Sequence, residues 1–243
     1  MGKLYVIGFG PGNSENMTEA CRRCLDNAEI IVGYTGYVKL LRQIYPNKIF
    51  HETDMTRETE RCRTALQLAC KGKTICVVSS GDSGVYGMAA LIFELSEDMP
   101  EIEIEVIPGV TSAVSGAALL GAPIGHDFAV ISLSDLLTPW ETIEKRLHAA
   151  AFGDFAICLY NPGSKKRTEH LRTACEILLE KLPANRICGV ARNIGRNRQS
   201  IYLTSLGELK NIQADMTETI FIGNTQTRNI DGRMVTPRGY CND

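Results

Sequence analysis

Three segments of this 243-residue chain place small and hydroxylated residues where an apolar run stops: Gly8-Phe9-Gly10-Pro11-Gly12, Ser79-Ser80-Gly81-Asp82-Ser83-Gly84-Val85-Tyr86-Gly87 after Val77-Val78, and Pro108-Gly109-Val110-Thr111-Ser112 after Ile107. Glycine and serine leave main-chain N–H and C=O groups uncovered, and the carboxyl end of a strand in an open α/β sheet is where small molecules bind. The repetition of such turns within one half of the chain points to an enzyme. A fourth segment, Ser132-Leu133-Ser134-Asp135-Leu136-Leu137-Thr138-Pro139-Trp140, runs from a strand into a polar turn and then a helix with Pro139 near its first position. Ser134, Asp135 or Thr138 can cap that helix; the sharper reading gives Asp135 a substrate contact or a proton to move.

Context removes several familiar chemistries. Gly8 to Gly12 is not the dinucleotide fingerprint, because the third glycine arrives one residue early, Pro11 removes an N–H, and the second strand ends in Gly33-Tyr34-Thr35 with no acid. Gly81-Asp82-Ser83-Gly84 resembles the surroundings of a protease serine, yet His51, His126, His148 and His170 stand in unremarkable settings and GxSxG is absent. Cys21 and Cys24 form a CxxC on one helical face, but no second pair or nearby histidine pair completes a metal site, so no metal is expected. The nine cysteines lie mostly inside apolar runs, as with Cys76, Cys158 and Cys188, and read as buried reduced thiols.

A net charge of −2 argues against a general nucleic-acid binder. Basic residues nonetheless gather in Lys165-Lys166-Arg167, in Arg192, Arg196 and Arg198, and in Arg228, Arg233 and Arg238. They are either a solvated surface or a mouth for a substrate bearing several carboxylates, which arginine grips through paired hydrogen bonds. No apolar run approaches the roughly 20 residues that span a bilayer, and the amino terminus enters a strand-like run at once, so a cytoplasmic protein without membrane contact is expected.

The elements that must position these residues alternate. Strands are expected at Leu4 to Ile7, Ile30 to Val32, Lys48 to Phe50, Thr74 to Ser79 and Ile102 to Ile107, with helices at Thr18 to Ala28, Arg57 to Lys71, Met88 to Glu97 and Ser112 to Leu120. Gly121-Ala122-Pro123 reads as a boundary between domains at 1–121 and 122–243. The second domain has expected strands at Phe128 to Leu133, Phe155 to Tyr160, Ile187 to Val190, Ser200 to Leu203 and Thr219 to Ile222, and helices at Pro139 to Ala150 and Lys166 to Lys181. The fold class is therefore α/β, as two α/β domains.

The order GxGPG, Ser-Gly-Asp-x-x-Val-Tyr-Gly, Pro-Gly-Val-Thr-Ser and Leu-Tyr-Asn resembles the tetrapyrrole methylase family over essentially the whole chain. His126 to Trp140 and Tyr160 to Arg167 narrow the resemblance to the carbon-17 methyltransferases of cobalamin biosynthesis. The resemblance implies S-adenosylmethionine folded in a cleft between two α/β domains. It places cofactor contacts on Pro11, Ser80, Gly81, Asp82, Val85, Thr111, Ser112, Asn161, Asn193 and Thr219, with Asn161 standing where other members often carry methionine. It implies substrate contacts on Gly10, Ser134, Lys165, Arg167 and Arg192, and Asp135 as the group that moves a proton. The implied reaction is methylation of carbon 17 of precorrin-3B or cobalt-precorrin-3 with ring contraction, by a homodimer. A sister methylase acting at another carbon, or a noncatalytic tetrapyrrole carrier, stays open at this point.

Overall fold

The computed structural model describes residues 2–97, 99 and 102–240. The chain divides into two compact units, Met1–Ser112 and Ala113–Asp243. The division falls ahead of the helix Ser112–Leu120 and not after it, because that helix packs its small residues Ala113 and Ala117 with Leu120 against Cys158, Ala191 and Phe221 of the second unit.

The first unit is an all-parallel sheet of β1 (Lys3–Gly8), β2 (Ile30–Tyr34), β3 (Ile49–Thr53), β4 (Thr74–Ser79) and β5 (Glu103–Ile107), in the order β3-β2-β4-β1-β5. Helices α1 (Glu19–Asn27), α2 (Thr35–Ile44), α3 (Glu58–Cys70) and α4 (Ala89–Ser96) join the strands. Alternate residues of the central strands serve two cores. Leu4, Val6, Ile75 and Val77 pack with Cys62, Leu66 and Ile92, whereas Ile7, Cys76 and Val78 pack with Cys21, Leu25 and Leu41. Covering both faces explains why the middle strands are apolar without interruption. Helix α2 has no counterpart in the sequence expectations; its two buried residues, Val38 and Leu41, are too few to stand out as a stripe.

The second unit holds α5 (Ser112–Leu120), β6 (Gly121–Ala122), β7 (Phe128–Ser132), α6 (Trp140–Phe152), β8 (Ala156–Tyr160), α7 (His170–Leu179), β9 (Ile187–Arg192), β10 (Ser200–Ser205), α8 (Leu206–Leu209), β11 (Glu218–Ile222), β12 (Arg228–Ile230) and β13 (Arg233–Val235). Its main sheet runs β10-β9-β11-β8-β7 and is mixed, with β7 and β8 parallel and β11 antiparallel to both β8 and β9. A three-stranded sheet, β12-β13-β6, was not anticipated. Its hairpin turns at Asp231 (φ 49°) and Gly232 (φ 77°), the paired positive φ values of a tight Asp-Gly turn. Arg228 and Arg233 of the basic tail are thus hairpin residues at its two sides.

The start of one helix and the capping of another depart from expectation. Helix α7 begins at His170 and not at Lys166, because Ser164 and Arg167 exchange main-chain hydrogen bonds of 3.0 and 3.1 Å and the Ser164 hydroxyl accepts from both Lys166 N and Arg167 N, closing a separate turn. Helix α6 begins at Trp140 with Pro139 as its N-cap and no side-chain cap, so the capping roles offered for Ser134, Asp135 and Thr138 fall away.

Cys21, Cys24, Cys62, Cys76, Cys158, Cys175 and Cys188 are buried free thiols, and Cys70 is exposed. Desolvation pushes Cys21 and Cys175 up to about 12 and Cys62 to about 11. Because the thiolate is the reactive form, brief alkylation of the native protein at pH 8 followed by peptide mapping is expected to mark Cys70 and leave these seven until denaturant is added.

Candidate active site

In the first unit the three glycine-rich turns meet. Gly10 and Gly81 form an antiparallel bridge, with Gly10 N donating to Gly81 O at 3.0 Å and Gly81 N to Gly10 O at 2.7 Å. The Asp82 carboxylate joins the third turn: Oδ1 accepts from Gly84 N at 2.8 Å and Oδ2 from Gly109 N at 2.9 Å. The fully buried Ser83 donates to Val6 O at 3.1 Å and fixes the loop over β1. The turns touch backbone to backbone. A methyl group on Gly109 would stand 2.2 Å from Gly81 O and 2.3 Å from Gly8 O, and one on Gly8 would stand 2.6 Å from Gly81 O.

The predicted residues Gly10, Ser80, Gly81 and Asp82 are therefore brought together, and Thr111 lies alongside, its Cα 3.6 Å from where a Gly81 Cβ would be. Pro11 is buried next to Gly10, while Val85 and Ser112 are half-buried on the chain that follows the turns. Sequence reasoning expected glycine N–H groups to face a ligand. Those of Gly10, Gly81 and Gly109 are instead spent holding the turns to one another, and Asp82 is their clamp. Asp82→Ala is expected to cost about 2–4 kcal/mol by freeing two main-chain donors that a carboxylate satisfies, read as a lower denaturant midpoint. Asp82→Asn, which keeps one acceptor, should fall between.

In the second unit one end of the mixed sheet collects the remaining candidates. Strands β7, β8 and β9 end there and the antiparallel β11 begins there, with Ser132 opposite Tyr160 and Thr219 opposite Ala191. Asn161 follows β8 at φ 53° and Asn193 follows β9 at φ 51°, left-handed conformations uncommon outside glycine and concentrated at functional turns. Asn161 Nδ2 donates to Ser132 Oγ at 2.9 Å, Asn193 N donates to Thr217 O at 3.0 Å, and Thr219 is buried.

Asp135 lies beyond β7, and its Oδ2 accepts from His170 Nε2 at 3.1 Å. The imidazole packs edge-on to Trp140, with ring centroids 5.0 Å apart. The hydrogen bond from His170, with further help from the charge of Arg167, holds the Asp135 carboxyl below its ordinary value. His170 is the partner of Asp135 that sequence reasoning missed. It is 35 positions from Asp135 and neither has a local pattern that predicts the other, so only the fold pairs them.

Of the expected basic contacts, Lys165 is exposed on the turn before α7, and Arg167 is buried with Nη1 donating to Ser134 Oγ at 2.6 Å. Arg192 is already engaged, with Asp215 at 2.9 Å and with the buried Glu218 at 3.8 Å. Among the described residues no group of three or more His, Cys, Asp or Glu side chains is placed to hold a metal ion.

A family model described as tetrapyrrole (corrin/porphyrin) methylases matches residues 3–210. A protein of Salmonella typhimurium described as "Probable cobalt-factor III C(17)-methyltransferase" is 46% identical over 238 residues, covering 98% of this chain and 99% of the relative. The crystal structure of the methyltransferase CobJ superposes with a TM-score of 0.92 at 40% identity, over 98% of this chain and all of that one. A uroporphyrin-III C-methyltransferase from Thermus thermophilus, solved with S-adenosyl homocysteine, shares the fold at a TM-score of 0.69 and 18% identity, over 91% of this chain and 92% of that one. With its strand-end turns clamped as described and these likenesses running nearly end to end, the chain belongs to the tetrapyrrole (corrin/porphyrin) methylase family.

Proposed function

We propose that this protein is an S-adenosylmethionine-dependent methyltransferase of cobalamin biosynthesis that methylates carbon 17 of cobalt-factor III with contraction of the macrocycle. The observation that carries the reading is a set of clamped main-chain turns and hydroxyls in the first unit, in a chain 46% identical to a protein named for that reaction. The side chains offered there and at the end of the second sheet suit the donor: hydroxyls of Ser80, Thr111, Ser112 and Thr219 and the amides of Asn161 and Asn193 complement an amino acid head and a ribose, and Pro11 and Val85 offer apolar contact. When bound, S-adenosylmethionine supplies an activated methyl group, so the protein needs no covalent nucleophile. Its residues contribute by holding reactants in line, which is worth about 7–11 kcal/mol in favourable cases. Gly10, Ser134, Lys165 and Arg167 are the proposed substrate contacts. Arg192 is better read as a structural partner of Asp215 and Glu218.

Proton movement is assigned to Asp135. Methylation of an enamine-like carbon leaves positive charge on the macrocycle, and an ionised carboxylate can stabilise that charge or accept the proton whose loss discharges it. His170 keeps Asp135 ionised and oriented. The reading includes a cytoplasmic homodimer that takes no nucleic acid or membrane as partner; sedimentation of the purified protein tests the dimer. The deciding experiment is anaerobic incubation with methyl-labelled S-adenosylmethionine and either cobalt-factor III or metal-free precorrin-3B. Label at carbon 17 of a contracted, cobalt-containing ring is the expected product. Label at another carbon would make the protein a sister methylase, and no transfer to either substrate would favour a carrier.

A further inference from the structure

We infer that Arg167 is the receptor for one carboxylate of the tetrapyrrole substrate, taken on the Nε–Nη2 edge of its guanidinium beside the hydroxyl of Ser134. The inference rests on the methyltransferase reading above and names the group within that site that recognises substrate charge. Three arginines in the described residues are buried: Arg61, Arg167 and Arg186. Arg61 is satisfied by Thr53 Oγ1 and by the carbonyl oxygens of Thr53 and Asp54, and Arg186, whose Nε is likewise buried without an acceptor, has the Asp154 carboxylate 3.7 Å from Nη1 as its counter-ion. Arg167 differs. Its one side-chain partner is Ser134 Oγ, on Nη1, while Nε is buried with no acceptor and Nη2 has none among the described residues.

A buried cation with no carboxylate bonded to it is costly, and folding tolerates it where something else gains by it. Nε and Nη2 lie on one edge of the planar guanidinium and form the fork that binds a carboxylate through two parallel bonds. The Ser134 hydroxyl accepts from Nη1, so its own hydrogen is left to donate to the same ligand. Asp135 is near enough for the two charges to interact, but its Oδ2 accepts from His170 and it makes no hydrogen bond or close ion pair with Arg167, so the Nε–Nη2 edge stays open. The position is held by construction, not by chance contact: the Ser164–Arg167 turn is closed by reciprocal main-chain bonds, and Ser134 N is tied to Ser132 Oγ at 3.2 Å. Acetate and propionate arms are the carboxylates such a macrocycle carries. Lys165, exposed on the same turn, offers a solvated point charge and no fork.

The test compares Arg167→Met and Arg167→Lys with wild type in steady-state turnover of cobalt-factor III, with S-adenosylhomocysteine affinity measured by calorimetry and melting followed without ligand. Arg167→Met is expected to raise KM about 10- to 100-fold, the equivalent of one lost charged hydrogen-bond pair, with a much smaller change in kcat. S-adenosylhomocysteine affinity should stay within about twofold, and melting should change little, since removal of a buried charge offsets loss of the bond to Ser134. Arg167→Lys keeps the charge without the fork and should raise KM several-fold; it decides the matter if the Met variant does not fold. KM within about twofold of wild type in a folded variant overturns the assignment and makes Arg167 a structural residue. A wild-type protein that binds S-adenosylhomocysteine yet methylates no tetrapyrrole overturns the functional reading instead.

Discussion

Asp135→Asn is expected to lower kcat for methyl transfer with ring contraction by about 10²- to 10⁴-fold, the range general acid–base groups contribute. Its melting temperature should shift by no more than about 2 °C, because the side chain is 39% exposed and the amide keeps an oxygen that can accept from His170. The informative companion is His170→Leu, which has no donor and so removes the hydrogen bond that chiefly lowers the Asp135 carboxyl. The active form is the carboxylate, so activity is lost as pH falls through its folded-state value. Removing the group that depresses this value raises it toward that of an ordinary aspartate, and the acid limb of the kcat profile moves to higher pH. The groups that face Asp135 are His170 and Arg167; with Arg167 intact, the shift reports on His170. An unmoved acid limb in His170→Leu, with kcat reduced all the same, would show that the imidazole acts through packing on Trp140.

Gly109→Ala is expected to give the largest combined effect on stability and binding. The added methyl would meet the main-chain oxygens of Gly81 and Gly8 at 2.2 and 2.3 Å, and no side-chain rotation can relieve a clash between two backbones. Forcing the turns apart also strains the bond from Gly109 N to Asp82. Overpacking costs about 1–3 kcal/mol and the disturbed charged bond a similar amount, which together correspond to a fall in melting temperature of about 4–24 °C. S-adenosylhomocysteine affinity should drop more than about tenfold, since the proposed contacts Ser80 and Thr111 ride on these turns. Gly72→Ala is the control. Gly72, unlike Gly109, has a positive φ, 82°, but open space surrounds its missing Cβ, so the strain costs about 1 kcal/mol and leaves the site intact. Equal losses of affinity in the two variants would remove the special standing of the Gly8, Gly81 and Gly109 contact.

Hydrophobic periodicity and glycine placement determined much of this protein by themselves. The strand Thr74–Ser79 and the helix Ser112–Leu120 have the bounds expected, because each pairs a continuous apolar run with small residues at its edge, a signal written within a few adjacent positions. The α/β class and the turns that end β1, β4 and β5 were legible for the same reason. What the turns do with their N–H groups was not: Asp82 is 27 residues from Gly109, and Gly10 is 71 residues from Gly81, so only strand order decides that they bond to each other. The antiparallel direction of β11 was equally hidden. It sets Thr219 beside the chain ends that carry Asn161 and Asn193, yet a buried five-residue strand reads alike in either direction. The pairing of Asp135 with His170, the neutralisation of Arg192 by Asp215 and Glu218, and the buried Arg167 Nε left without an acceptor belong to this second kind. Local sequence sets backbone preference and which face is apolar; charge partners are chosen by distance in space, and that is known only once the sheet has its order and register.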